Sequence, residues 1–178
     1  ISTILSNEIN ANKIISVSST LIEGLTGFSE GQRIYVKAVM SDRPGNITEG
    51  SQSIIEILID ETPASITPIS ILSSNNNTAL AKVGDTVSVS FTTSENLIDT
   101  EATISGHNAI ITNLSGNQFL AVYVMDESDF EGVIEFEISF IDAQGNPLNG
   151  NNSTTDASQV VFDKTKPTLS PVTIISDN

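Results

Sequence analysis

The amino-acid sequence predicts an all-β protein built from antiparallel β-sandwich domains. Three observations support this prediction: polar and apolar residues alternate along short runs, turn-forming clusters separate the runs, and a long segment nearly repeats itself. Alternation with a period of two places apolar side chains on one face of a strand and polar side chains on the other. No long stretch shows the 3.6-residue period of an amphipathic helix.

The alternating runs predict where the strands lie. The alternation is clearest in residues 86–91 and 135–140, and clusters rich in Asn, Gly and Ser interrupt it, as at residues 73–77 and 149–152. These residue types favour turns. The predicted strands of the second half of the chain are 66–73 with a continuation at 79–82, 86–93, 100–105, 108–113, 117–125, 133–141 and 158–163.

The apolar members of these runs predict the core. The side chains expected to face inward are Val87, Val89, Phe91, Ile104, Ile134, Phe136, Ile138, Phe140, Val160 and Phe162. Both faces of the run 117–125 are apolar, so the pattern leaves two choices open for it. These choices are Phe119, Ala121 and Tyr123, or Leu120, Val122 and Val124.

The internal repeat predicts the size of the domain. Residues 60–75 recur as residues 163–178, and residues 39–46 recur as residues 139–146. Both offsets are about 100 residues, which is the size of an immunoglobulin-like (Ig-like) sandwich domain. Solenoid and propeller repeats are shorter, at roughly 20–50 residues. The sequence therefore predicts Ig-like sandwich domains in tandem.

The repeat also predicts the domain boundaries. Residues 1–62 are expected to be the C-terminal part of an Ig-like domain without its first two strands, residues 63–165 a complete domain, and residues 166–178 the first strand of a following domain. An incomplete sandwich leaves sheet edges unpaired. Two interpretations are open: the chain is an excerpt from a longer one, or another copy supplies a strand and forms a polymer by strand addition.

Composition excludes several kinds of partner. The chain has 7 Lys and Arg against 22 Asp and Glu, a net charge of −15, so it cannot neutralise the phosphates of nucleic acid or an anionic membrane surface. No apolar run reaches the roughly 18 residues of a membrane span, which predicts no membrane insertion. The chain has no cysteine, which excludes a disulfide framework, a thiolate zinc site and a cysteine nucleophile.

Four motifs follow one another along the second half of the chain. Residues 82–87 are K-V-G-D-T-V, residues 92–95 are T-T-S-E, residues 142–146 are D-A-Q-G-N, and residues 163–168 are D-K-T-K-P-T. In this order they resemble the strand opening, loop, turn and linker of bacterial Ig-like repeats. Residues 28–36 also resemble a corner of fibronectin type III domains. The resemblance implies an Ig-like fold in a large secreted protein of the bacterial cell surface, adhesins among them.

Candidate metal ligands lie where Ig-like topology brings loops together. The start of the first strand and the loops after the second and sixth strands meet at one end of such a sandwich. These segments carry Asp60, Glu61, Glu95, Asp142 and Asn146. Ca²⁺ binds six to eight oxygen ligands in flexible geometry, so these residues predict a calcium site. The alternative is that Asp142 and Asn146 only form turn hydrogen bonds and Asp60 only caps the linker.

The sequence shows no catalytic constellation. His107 is the only histidine, and it lies in the turn-forming segment 105–108 without a neighbouring nucleophile. We therefore expect a solvent-exposed turn residue and a protein that is not an enzyme. The acidic segment 126–131 lacks the D-x-D-x-D-G pattern of an EF-hand loop and is expected to be a solvated turn.

The predicted function is structural. Repeats of one chain, joined by short linkers and stiffened by Ca²⁺, are expected to form a stalk or filament outside the bacterial cell. One alternative is an adhesion module that binds a ligand through loops such as 106–117 or 149–157; the other is an accessory domain of a secreted enzyme. Binding surfaces are rich in aromatic residues, and this chain has 5% aromatic residues and no Trp.

Overall fold

The all-β class is confirmed by the computed structural model of the chain, which describes residues 29–54 and 56–178. The chain divides into two compact units, Ile1–Thr62 and Pro63–Asn178. All the regular elements among the described residues are β-strands. The predicted first domain is in part outside the described residues, because it includes residues 1–28.

The first unit contains four described strands, paired in two small antiparallel sheets. These strands are β1 (Arg33–Ile34), β2 (Lys37–Ser41), β3 (Ile47–Gln52) and β4 (Ile57–Leu58). Strand β1 pairs with β4, and β2 pairs with β3. Ion pairs join Arg33 to Glu56 and Lys37 to Glu49 across these pairs.

The second unit contains eleven described strands. They are β5 (Ile66–Ser73), β6 (Leu80–Ala81), β7 (Thr86–Thr93), β8 (Leu97–Ile104), β9 (His107–Asn108), β10 (Ile110–Ser115), β11 (Gln118–Val124), β12 (Gly132–Val133), β13 (Phe136–Asp142), β14 (Pro147–Asn151) and β15 (Val161–Phe162).

Two four-stranded antiparallel sheets form the sandwich. One has the order β10-β11-β7-β5 and the other the order β14-β13-β8-β9. In Ig-like terms the first sheet holds the first, second, fifth and fourth main strands, and the second sheet holds the third, sixth and seventh. The short strand β6 pairs in parallel with β15, which pairs with β12 on its other side. This strand order confirms the predicted Ig-like sandwich.

Alternation along the strands builds the core between the two sheets. Strand β7 alternates without a break between half-buried polar residues and buried residues. Its Phe91 stacks on Phe119 of β11, with ring centroids 5.3 Å apart. All ten side chains predicted to face inward are buried. For β11 the structure selects the face of Phe119 and Ala121, with Tyr123 packed at its margin.

The last main strand differs from its prediction because it is divided. Residues 147–151 form β14 and pair with β13, although 149–151 belong to a predicted loop. This segment, P-L-N-G-N, has low intrinsic β-propensity, and its pairing follows from the tight turn that connects it to β13. Residues 152–160 then cross to β5, where the Thr155 amide donates to the Ile69 carbonyl at 2.9 Å.

The same hairpin occurs in both units. In the first unit Ser41 pairs with Ile47, and in the second unit Ile141 pairs with Pro147, at an offset of about 100 residues. Each hairpin has a register shift further along, and each is followed by a second short strand, β4 or β15. The sequence repeat therefore has a counterpart in backbone pairing.

Candidate functional site

The turn between β13 and β14 is organised by a buried carboxylate. Asp142 is 0% exposed, and its Oδ1 accepts hydrogen bonds from the amides of Gln144, Gly145 and Asn146 at 3.0, 2.8 and 2.8 Å. The Asn146 side-chain amide donates to Oδ2 at 3.1 Å. Gly145 has a φ of 102°, which favours glycine because it has no Cβ.

These hydrogen bonds determine the charge state of Asp142. Burial by itself raises the pKa of a carboxyl group, but the bonds from Asn146, Gln144 and Gly145 outweigh burial, and the pKa of Asp142 lies below its ordinary value. The stabilisation is therefore present at neutral pH and is lost as the pH falls through this lowered pKa.

The first unit repeats this turn at its surface. The Asn46 amide donates to Asp42 Oδ1, and the Asn46 side-chain amide donates to Asp42 Oδ2, both at 2.7 Å. Unlike Asp142, Asp42 is exposed. The bonds from Asn46 and Gly45 lower the pKa of Asp42. The two turns therefore differ in burial and also in one hydrogen bond, because Pro44, which has no amide hydrogen, stands at the position of Gln144.

Three loop segments of the second unit meet at one end of the sandwich, as Ig-like topology predicts. The Ser65 amide donates to Ser94 Oγ, and the Ser94 amide donates to the Ser65 carbonyl, both at 2.9 Å. The Ala143 amide donates to the Asn96 carbonyl at 3.0 Å. The entry to β5, the loop after β7 and the turn after β13 are thus held together by backbone hydrogen bonds.

The five predicted calcium ligands are distributed over both units. Glu95, Asp142 and Asn146 belong to the second unit, and Asp60 and Glu61 end the first unit. Asp60 Oδ1 accepts the Thr62 amide at 3.2 Å. The described residues include no group of three or more His, Cys, Asp or Glu side chains placed to hold a metal ion.

Both oxygens of Asp142 accept hydrogen bonds from its own turn. A carboxylate that ligates a metal ion is commonly hydrogen-bonded as well, so these bonds do not decide between the two interpretations. The turn hydrogen bonds considered as the alternative are present. Calcium binding by Asp60, Glu61, Glu95, Asp142 and Asn146 stays a prediction.

Calcium binding predicts a selective thermal shift of the full chain. Replacing EGTA with Ca²⁺ is expected to raise the melting temperature, because a ligand at 100 times its Kd stabilises the native state by about 2.7 kcal/mol. Mg²⁺ serves as the control, and Glu95→Gln should reduce the shift. Equal melting temperatures in EGTA, Mg²⁺ and Ca²⁺ contradict calcium binding.

The acidic loop between β11 and β12 lies on a different side of the fold and is more ordered than predicted. Asp126 and Glu127 are exposed, and Asp126 Oδ1 accepts the Ser128 amide and hydroxyl at 2.6 Å. Asp129 is only 1% exposed, and its Oδ2 accepts the Asp126 amide at 2.7 Å. The prediction of a solvated turn is therefore wrong for Asp129, because the alternating pattern contains no signal for a carboxylate that folds back onto its own loop.

His107 is packed against this loop. Its ring stacks on Tyr123, with centroids 5.1 Å apart, and its Nε2 lies 3.4 Å from Asp129 Oδ1. Burial raises the pKa of Tyr123, and the carboxylates of Asp129 and Asp126 raise it further. Tyr123 is therefore a neutral phenol at physiological pH, which does not suit a nucleophile.

The linker after β15 is bound by the same acidic loop. Glu131 Oε1 accepts the Lys164 amide at 2.9 Å and the Thr165 hydroxyl at 2.7 Å. Lys164 Nζ donates to the carbonyls of Glu127 and Asp129 at 2.9 and 2.8 Å. The bonds from Thr165 and Lys164 lower the pKa of Glu131. The sequence-based prediction included Glu131 in the solvated turn 126–131 and did not assign it to the linker.

A signal for this contact is present in the sequence. Of the four Glu-Gly pairs in the sequence, at residues 23–24, 30–31, 49–50 and 131–132, the second and the last are separated by nearly the same offset as the two linkers. These two pairs lie outside the repeated segments 39–46, 60–75, 139–146 and 163–178, and their flanking residues differ. Only the structure shows that both glutamates bind the linker of their own unit.

An open groove of about 590 Å³ lies beside β13, where the last main strand is divided. Glu135, Glu137, Asn152 and Gln159 contribute polar groups to it. Phe136, which also lines the groove, is 7% exposed. An aromatic side chain buried to this extent offers no stacking surface for a sugar ring.

The chain matches no protein-family model, and a search of curated proteins finds no match. In residues 29–54 and 56–178, no helix is long and apolar enough to cross a membrane. The features of this chain that bear on its function are therefore the repeat of about 100 residues, the β-sandwich of the second unit and the hydrogen bonds that hold the two linkers.

Proposed function

We propose that this chain is a structural module of an extended array of Ig-like domains in an extracellular protein of the bacterial cell surface. Its partners are neighbouring repeats of the same chain. The observation that carries the proposal is the segment 168–176, which repeats the apolar pattern of β5 at an offset of about 100 residues.

Strand β5 and the segment 168–176 have the same apolar pattern, but the two central apolar side chains are buried in β5 and their counterparts are exposed in 168–176. In β5, Ile69 and Ile71 are 1% and 2% exposed. Their counterparts in the repeat, Val172 and Ile174, are 90% and 99% exposed. Polar residues separate the apolar ones in both segments. An exposed segment with the pattern of a first strand favours docking onto the sheet of another sandwich domain.

Hydrophobic burial gives the physical reason for this docking. Leu169, Val172 and Ile174 are each exposed by 90% or more. Full burial of such a side chain contributes about 1.5–3 kcal/mol. A following domain of the same chain offers this burial at high effective concentration, because a short linker connects the two. Repetition of this step produces a continuous series of sandwiches.

A strand exchange tests whether the segment encodes a first strand. We expect the full chain to keep its fold when residues 65–73 are replaced by the sequence of residues 168–176, because each buried position keeps its character: Ile69 and Ile71 become Val and Ile, and Ser73 stays Ser. The largest single change, Ile69→Val, typically costs about 0.5–1.5 kcal/mol. Thermal unfolding by circular dichroism measures the loss.

The matched control carries the same nine residues shifted by one position. This shift turns the apolar side chains to the outer face, so the second unit should lose cooperative unfolding. If the in-register exchange unfolds the unit as severely as the shifted one, the segment is not a first strand. The segment 168–176 can dock onto a following domain of the same chain or onto another copy of the chain. Sedimentation of the native chain distinguishes these two partners, since strand addition between copies predicts assemblies that grow in size with concentration.

Calcium and direct adhesion are separate questions for this array. Stiffening by Ca²⁺ is a further part of the proposal, and the thermal shift described above tests it. Direct adhesion is the alternative, and its candidate surface is the polar groove beside β13, which could hold a ligand through hydrogen bonds and not through aromatic stacking. Saturable binding of a surface glycan by the full chain, lost in Glu135→Ala, would favour adhesion over a structural role.

A further inference from the structure

We propose that Glu131, and Glu30 in the first unit, are positioning residues that fix the direction in which the polypeptide leaves each unit. Glu131 with Asp163, Lys164 and Thr165 is named the exit clamp. The role of the exit clamp in an array rests on the proposed function. The hydrogen bonds of the clamp are a property of this chain by itself.

In the exit clamp, three consecutive residues after β15 are hydrogen-bonded to the second unit. The Asp163 amide donates to the Ala81 carbonyl at 2.9 Å. The Lys164 amide and the Thr165 hydroxyl both donate to Glu131 Oε1, at 2.9 and 2.7 Å. Because all three residues are hydrogen-bonded to the unit, one to Ala81 and two to Glu131, the linker has little freedom to rotate before residue 166.

Bonds within the linker complete the arrangement. The Thr165 amide donates to Asp163 Oδ1 at 2.8 Å, which forms an Asx turn within the linker. Lys164 Nζ caps two carbonyls of the acidic loop. Hydrogen bonds to an ionised carboxylate are shorter and stronger than neutral ones. Pro167 follows after Lys166 and restricts the backbone of both residues further.

The first unit contains the same clamp. The Glu61 amide and the Thr62 hydroxyl donate to Glu30 Oε2, at 2.6 and 3.0 Å. The Thr62 amide donates to Asp60 Oδ1 at 3.2 Å. Each atom-to-atom contact matches one in the second unit.

The two clamps share only the groups that make these bonds. The middle linker residue is Glu61 in one unit and Lys164 in the other, and its backbone amide binds the glutamate in both. The same donors bind a glutamate at nearly the same offset in both units, which a chance surface contact of a long side chain does not explain. A fixed exit direction at every repeat makes an array stiff without a metal ion.

Spin labels on the full chain measure the exit direction. The chain has no cysteine, so Thr112→Cys on β10 and Lys166→Cys after the clamp give one defined label pair. Pulsed dipolar spectroscopy gives the distribution of distances between them. We expect a narrow distribution that broadens about twofold or more in Glu131→Ala, with amide exchange of Lys164 roughly tenfold faster.

Glu127→Ala is the matched control, because it removes a carboxylate from the same loop and keeps the carbonyl that Lys164 binds. It should leave the distribution and the exchange rate unchanged. Thr165→Val, which removes one donor and leaves Glu131 in place, should broaden the distribution less than Glu131→Ala. Exchange of the β13 amides checks in each variant that the sandwich is folded.

The clamp is refuted if Glu131→Ala and Thr165→Val both keep the native distance distribution and Lys164 exchange rate. It is also refuted if Glu127→Ala broadens the distribution as much as Glu131→Ala, since charge rather than bonding then controls the loop. Neither result affects the proposed function, which fails instead in the strand exchange. A failed strand exchange does not refute the clamp, because the distance distribution and the Lys164 exchange rate report on residues 163–166 and do not depend on a following domain.

Discussion

Ala121→Asp is expected to unfold the second unit. Ala121 is 0% exposed and pairs with Val89 at the centre of the sheet formed by β10, β11, β7 and β5. A carboxylate at this position is placed against apolar side chains without a partner, and burial of an unpaired charge costs at least about 4 kcal/mol. That is a large fraction of the total stability of a domain. Far-UV circular dichroism and amide exchange of β7 should both show the loss.

Val124→Asp is the control for this prediction. It adds the same charge to the same strand, but Val124 is 55% exposed and lies at the end of β11. We expect a cooperative transition close to that of the unchanged chain. If Val124→Asp unfolds the unit and Ala121→Asp does not, the inner face of β11 is assigned incorrectly.

Asp142→Ala is expected to destabilise the second unit by about 3 kcal/mol, because a fully buried carboxylate that accepts four hydrogen bonds is lost. The amides of Gln144, Gly145 and Asn146 all converge on Asp142 Oδ1, and a methyl group accepts no hydrogen bond. The melting temperature should fall by about 10 °C for a unit of this size.

Asp42→Ala is the matched control in the first unit. The two turns share the bonds from their asparagines, but Asp42 is exposed, so water replaces the lost acceptor. Amide exchange in β2 and β3 should therefore change much less than exchange in β13 and β14 of Asp142→Ala. Equal losses in both units would show that burial does not determine the importance of this turn.

The fold was largely predictable because alternation has a direct physical meaning in a strand. Strand β7 alternates at every position, and the predicted and observed bounds coincide at Thr86–Thr93. Strand β14 was missed, since Pro147, Asn149 and Gly150 disfavour strands and only the pairing with β13 makes this segment a strand. For β11 the sequence left two faces open because both are apolar.

The candidate site was predictable in part. The turn motif identified Asp142 and Asn146 as a pair, and the topology correctly brought the loops after β7 and β13 together. The burial of Asp142 and Asp129 could not be read from the sequence, because a carboxylate is buried only when distant backbone amides or its own loop supply donors. Glu30 and Glu131 were missed because each binds a linker more than 30 residues away in the chain.

The sequence by itself determined the all-β class, the inward residues of most strands and the repeat of about 100 residues. Each of these depends on local periodicity or on comparison of the chain with itself. Only the tertiary structure decided which face of β11 is buried, which carboxylates leave solvent and which glutamates bind the linkers. These outcomes depend on contacts between residues far apart in sequence, and no local pattern records them.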